Sequence, residues 1–171
     1  MRVFLIGFMG SGKSYCGREL AKLLGMPFID LDDYVEARAG TPISQIFANH
    51  DETYFRELER DVLMSIAPLP SFVMATGGGT PCYQDQIGHL NRIGTTVFLD
   101  PPVELLVSRL QSETNHRPLL SASESLTDTV TEKLRQRRPC YERAHIHLRF
   151  DNQSGDVARL LFERLSEQSL S

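Results

Sequence analysis

The first apolar positions form a short unbroken run, Val3-Phe4-Leu5-Ile6, that stops at Gly7. A run of this length without alternation is the pattern of a strand buried on both faces of a parallel sheet. The period then changes. From Lys13 onward Leu20, Leu23 and Leu24 recur at helical intervals, and Gly25 with Met26-Pro27 marks the stop. Strand-like segments return at 28–29 ending at Asp30, at 71–75 leading to Gly77, at 96–99, and more weakly at 146–150. Helical spacing covers 51–67, 83–92, 102–111, 126–141 and 156–166. Such alternation predicts an α/β fold with a five-stranded parallel sheet and helices on both faces. The Ser-rich, weakly periodic stretch 112–125 is too long for an ordinary connection and is read as a mobile lid.

The sharpest local signal sits where the first strand gives way to the first helix. Gly7-Phe8-Met9-Gly10-Ser11-Gly12-Lys13-Ser14 matches G-x-x-x-x-G-K-[ST] in the strand-loop-helix context that motif requires. Glycines let successive backbone N–H groups close around phosphate oxygens, and the helix N-terminus adds positive potential. Lys13 is expected to bridge the β- and γ-phosphates of ATP, and the Ser14 hydroxyl to hold Mg²⁺. The loop leaves the acceptor open, because switches, motors and kinases share it. No N-K-x-D guanine motif is present, which counts against a GTPase switch.

Composition narrows the picture. The 171 residues, 41% hydrophobic and 23% charged, suit one domain, and a net charge of −4 offers nucleic acid or anionic membrane no general attraction. No apolar run reaches membrane-spanning length, and with a strand expected at 2–6 no secretory or transit leader is expected. Cys16, Cys82 and Cys140 are odd in number and far apart, suggesting neither a disulfide framework nor a zinc site, so a cytoplasmic location is expected.

Candidates for the acceptor side follow in chain order. Asp30 and Asp32 end the second strand, where residues i and i+2 share a side, so both carboxylates are expected in the cleft beyond the strand ends. One could serve the Mg²⁺ shell and the other take a substrate proton; alternatively Asp32 or Asp33 caps a helix over 31–38. Arg56 lies beside the buried stripe of Phe55, Leu58, Val62 and Ile66, with Glu59 three residues on. It is either a fixed guanidinium for an acidic substrate or a solvated surface pair. Gly77-Gly78-Gly79 after the third strand implies close approach of backbone to ligand, or else a flexible loop. Asp100 ahead of Pro101-Pro102 reads as a helix cap more readily than as a metal acid. Arg117-Pro118-Leu119-Leu120 falls within the lid, and Arg137 and Arg138 close the helix over 126–141, where a solvated basic face is the plainer reading.

Together these residues resemble shikimate kinases: GFMGSGKS at 7–14, D-x-D at Asp30-Leu31-Asp32, F-R-x-x-E at 55–59, Gly77-Gly78-Gly79, R-P-L-L at 117–120 and R-x-P-x-Y at 137–141. The resemblance runs through nearly the whole chain. It implies a single P-loop kinase domain over 1–171, with core 1–111 and 126–171 and an acceptor-binding helical segment at 31–67. It implies transfer of the ATP γ-phosphoryl group to the 3-hydroxyl of shikimate, a step toward chorismate, by a monomer that binds neither nucleic acid nor membrane. By matching position, Lys13, Asp32 and Arg117 are catalytic, with Asp32 the base. Gly10, Ser11, Gly12, Lys13, Ser14, Tyr15 and Arg117 meet the nucleotide, while Ser14 and, through water, Asp30 serve Mg²⁺. Arg56 and Arg137 grip the shikimate carboxylate, Asp32 receives its hydroxyls, and Gly77, Gly78 and Gly79 line its ring. Arg109 lies near the family's adenine-stacking position, with Leu110 as the other register.

Overall fold

In the computed structural model, which describes residues 1–113 and 125–168, five strands form one all-parallel sheet. They are β1 (Arg2–Ile6), β2 (Phe28–Asp30), β3 (Phe72–Ala75), β4 (Thr95–Asp100) and β5 (Ile146–Arg149), in the order β2-β3-β1-β4-β5. The helices are α1 (Lys13–Leu24), α2 (Leu31–Ala39), α3 (Ile43–Asn49), α4 (Glu52–Ile66), α5 (Gln86–Ile93), α6 (Val103–Glu113), α7 (Leu126–Tyr141) and α8 (Val157–Gln168).

The unbroken apolar run of β1 has the cause its pattern implied. Phe4 and Ile6 join Phe72, Met74 and Phe98 in a core closed by Leu31, Phe55, Leu63, Leu90, Leu106 and Leu134. Val3 and Leu5 join Val73, Val97 and Leu99 in a second core, closed by Cys16, Leu20, Leu161 and Leu165 of α1 and α8. Alternate side chains of one strand therefore feed two layers, and β1 pairs with β3 on one side and β4 on the other. The chain steps from β3 past β1 to β4. That step puts a topological switch point at the carboxyl end of β1, the position where open α/β sheets bind ligands.

Four local expectations change or sharpen. Helix α3 falls within the helical segment expected at 31–67 but has no period to delimit it, because Ile46 is its one buried residue. The segment expected to be helical from 83 instead passes through a 3-10 turn at Thr80–Cys82 and starts α5 only at Gln86. The cap of α2 is Asp30, not Asp32 or Asp33: its side chain accepts from the Asp32 N–H, which places Asp32 in the first helical turn instead of an extended strand. Asp100 caps nothing, since the Pro102 carbonyl takes the first helical bond of α6, from Leu106 N. Residues 112 and 113 end α6, and Ser125 caps α7. The remainder of the expected lid, with Arg117, lies outside the described residues.

Candidate active site

The loop between β1 and α1 is shaped by backbone demands. Gly12 caps α1 at φ 89, a conformation side chains resist, and a Cβ there would stand 3.2 Å from the Arg109 guanidinium. Buried Lys13 turns back into the loop, its Nζ donating to the Gly7 and Phe8 carbonyls at 2.9 Å each. Burial lowers its pKa to about 8; Asp32 and Asp30 work against that shift, and Arg137 adds to it. Ser14 Oγ donates to Asp30 Oδ2 at 2.6 Å, leaving its lone pairs free. The Ser11 hydroxyl is buried and has no hydrogen-bond partner among the described residues, an arrangement native proteins keep for a reason. Gly10 packs against Leu110 and gives its carbonyl to Arg109 Nη1 at 3.0 Å. Tyr15 is 76% exposed, its side chain turned to solvent.

Facing the loop, α2, α4, the glycine segment and α7 converge. Asp51 caps α4 by accepting from Tyr54 N–H, and two turns of that helix carry Arg56 and Glu59 into the interior. Glu59 is 2% exposed; its Oε2 accepts from Arg56 Nη1 at 2.8 Å and its Oε1 from Thr80 Oγ at 2.6 Å. Arg56 is thus no solvated surface pair but a fixed, buried guanidinium. Its other ion-pair partner among the described residues is the well-exposed Glu52 at 3.5 Å, a contact that yields easily.

The three glycines are required by side chains as much as by any ligand. A Cβ on Gly77 would stand 2.6 Å from Glu59 Oε1 and 3.3 Å from Asp32 Oδ1, and one on Gly79 would run into the Arg56 guanidinium. Gly78 lies 3.3 Å, measured from the Cβ position, from Arg137 Nη1, and its carbonyl accepts from Tyr141 Oη at 2.6 Å. With Thr80 N–H bonded to the Gly77 carbonyl as well, the segment is pinned, not a flexible loop. Arg137 lies 5.6 Å over the Phe8 ring of the phosphate loop.

Asp32 sits among these groups. Burial, with Asp30 and Glu59 nearby, pushes its carboxyl up to about 6, and only Lys13 pulls the other way. A carboxylate of that kind, next to a buried lysine at a phosphate loop, is poised to exchange a proton near neutral pH.

The basic end of α7 divides into three roles. Arg135 stays at the surface with Glu132, and Arg137 turns toward the glycines. Arg138 makes two bonds to Asp100, at 2.9 and 2.8 Å, joined by His147 Nε2 at 2.7 Å. Burial pushes the Asp100 carboxyl up, but these donors outweigh it and hold it below the ordinary range. Asp100 is therefore an anchor for α7. Sequence reasoning missed this, as it missed the Tyr141 and Thr80 hydroxyls; the tyrosine that ends R-x-P-x-Y was the available signal.

Comparison with known proteins agrees with the geometry. A family model described as shikimate kinase matches residues 9–166. A shikimate kinase of Parabacteroides distasonis is 46% identical over 147 residues, 85% of each chain. The structure of shikimate kinase from Bacteroides thetaiotaomicron superimposes with a TM-score of 0.87 at 35% identity, covering 100% of this chain and 99% of that one. That of the Acinetobacter baumannii enzyme in complex with shikimate gives 0.89 at 33% identity, covering 99% and 95%.

Proposed function

The chain belongs to the shikimate kinase family, and on that premise we propose how its own residues carry the γ-phosphoryl group of ATP to the 3-hydroxyl of shikimate. Asp32 carries the reading: a carboxylate pushed up to about 6, between Lys13 and the Arg56–Glu59 pair, can accept the hydroxyl proton as the oxygen attacks. Arg56 takes the shikimate carboxylate with the N–H groups that Glu52 holds only loosely, and Arg137 closes on it from α7. Gly77, Gly78 and Gly79 leave room for the ring against this wall.

On the nucleotide side, Lys13 exchanges its two loop carbonyls for the β- and γ-phosphate oxygens and neutralises charge as it builds. Ser11, Gly10, Gly12 and the Tyr15 main chain complete the cradle, and Arg109, already on the loop, is the adenine-side candidate over Leu110, which packs on Gly10. Arg117, outside the described residues, is assigned to the phosphoryl group through its motif alone. Ser14 and Asp30 present hard oxygen donors that fit Mg²⁺, Ser14 by its lone pairs and Asp30 through water. When bound, the ion would neutralise phosphate charge. All these groups lie on one chain, so we take the working unit as a monomer. No described helix is long and apolar enough to cross a membrane, and three free thiols suit a reducing cytoplasm.

The test is ADP release with shikimate, gluconate and nucleoside monophosphates as acceptors, with the product's phosphorylated oxygen identified by NMR. Release with shikimate alone, and phosphate on the 3-hydroxyl, is expected. Equal rates with gluconate would overturn the acceptor assignment.

A further inference from the structure

Two cysteines that the sequence keeps 58 positions apart, 140 minus 82, meet at the edge of the acceptor site. Cys82 ends the 3-10 turn that follows Gly79, is exposed, and has its sulfur 4.0 Å from the Arg137 carbonyl. Cys140 sits three residues beyond Arg137 on α7, half-buried, so the Cys82 thiol rests against the helical turn that carries Cys140, and each thiol perturbs the other. Each side of the pair adjoins the proposed acceptor machinery: Gly79 abuts Arg56 on one element, and Tyr141 bonds the Gly78 carbonyl from the other. The remaining thiol, Cys16, is buried in the opposite core layer.

We propose that Cys82 and Cys140 form a peroxide-responsive disulfide that switches acceptor binding off. The chemistry suits this division of labour. Interaction with Cys140, and then the Arg137 and Arg56 cations, bring the Cys82 thiol below its usual range, while the same contact and burial raise Cys140. Exposed Cys82 is thus the first to react. Its thiolate attacks a peroxide oxygen; the O–O bond breaks, leaving a sulfenic acid on Cys82 and releasing hydroxide, which leaves as water after taking the Cys82 proton from solvent. The Cys140 sulfur then displaces the hydroxyl from the Cys82 sulfur. An S–S bond forms, the S–O bond breaks, and the Cys140 proton departs with the hydroxyl as a second water. Two thiols lose two electrons and one hydrogen peroxide gains them.

Closing the bond requires sulfurs about 2.05 Å apart. The turn at Thr80–Cys82 must therefore be drawn toward α7, shifting Gly79 against Arg56 and Gly78 against Arg137. Displacements on the order of 1 Å in a positioning site reduce rates by up to roughly 100-fold.

The experiment treats the reduced full chain with hydrogen peroxide, maps thiols by peptide mass spectrometry, and measures kcat/KM for shikimate before and after addition of dithiothreitol. Expected are a Cys82–Cys140 peptide pair short of two hydrogens, unmodified Cys16, and a fall in kcat/KM of roughly 10- to 100-fold that the reductant reverses. Cys82→Ser and Cys140→Ser each keep the reduced enzyme's activity and lose the peroxide response. Sulfinic or sulfonic acid on Cys82 without a crosslink, or a crosslink that leaves kcat/KM unchanged, overturns the proposal. The rate readout rests on the shikimate reading, whereas the mapping does not: reduced protein inert toward shikimate would indict that reading instead.

Discussion

Asp32→Asn should make the unliganded protein more stable while removing its activity. Burial and the neighbouring Asp30 and Glu59 raise the Asp32 pKa from the ordinary 3.8 to about 6. A shift of about 2 units corresponds to roughly 3 kcal/mol of penalty once the group is charged in both states. That shift already includes the attraction of Lys13; partial solvation of the site and the amide's own desolvation cost reduce what the variant recovers, so a net gain of roughly 1 to 2 kcal/mol is expected. For a chain of this size that raises Tm by roughly 2 to 8 °C.

The sign follows from proton binding. Above about 6 the wild-type carboxylate is ionised in native and unfolded states alike, and the whole penalty is present. Between about 6 and 3.8 the native state binds the proton more readily and recovers stability; below 3.8 both states are protonated and the difference from the variant closes. Urea unfolding of both proteins without ligands, at pH 7.5 and near pH 3.5, reads this directly, because every other group titrates in both. Turnover with shikimate should fall by roughly 10² to 10⁴. A variant that is less stable at pH 7.5, or a difference independent of pH, would refute the placement of Asp32 as a desolvated, repelled carboxylate.

Other outcomes follow from the same geometry. Lys13→Ala should abolish turnover yet keep native circular dichroism, since the hydrogen bonds of Lys13 among the described residues go to two loop carbonyls; normal turnover would refute its role. Arg56→Ala and Arg137→Ala should each weaken shikimate binding by roughly 2 to 5 kcal/mol in calorimetric titration, with ATP affinity retained, and an unchanged shikimate affinity removes that arginine from the site. Gly79→Ala puts a methyl group into the Arg56 guanidinium, so KM for shikimate should rise at least roughly tenfold while KM for ATP holds; a rise shared by both substrates would show a general folding defect instead.

The layers and the phosphate loop were legible because they rest on short-range rules. The continuous run of β1 meant two cores, Gly25 meant the end of α1, and α7 spans the very residues its period indicated. Legibility failed where a residue's role depends on a distant partner. Local sequence could not decide between a fixed guanidinium and a solvated pair for Arg56, because its burial comes from Thr80 and the glycine segment beside Glu59, which no local window contains. Asp100 looked like a cap because Arg138 and His147, 38 and 47 positions away, were not in view. The D-x-D pair was read as a strand alternation, yet the chain turns helical between its members, and Asp30 itself caps the turn.

The claim that most needs testing is that Arg56 and Arg137 recognise the carboxylate of the acceptor while Asp32 handles its hydroxyl. The most direct measurement compares kcat/KM for shikimate with that for its carboxamide, in wild type and in Arg137→Ala. Wild type should lose roughly 2 to 5 kcal/mol on going to the neutral carboxamide, and the variant less, because one of the two guanidinium groups that read the charge is already gone. An equal loss in both proteins would contradict the account.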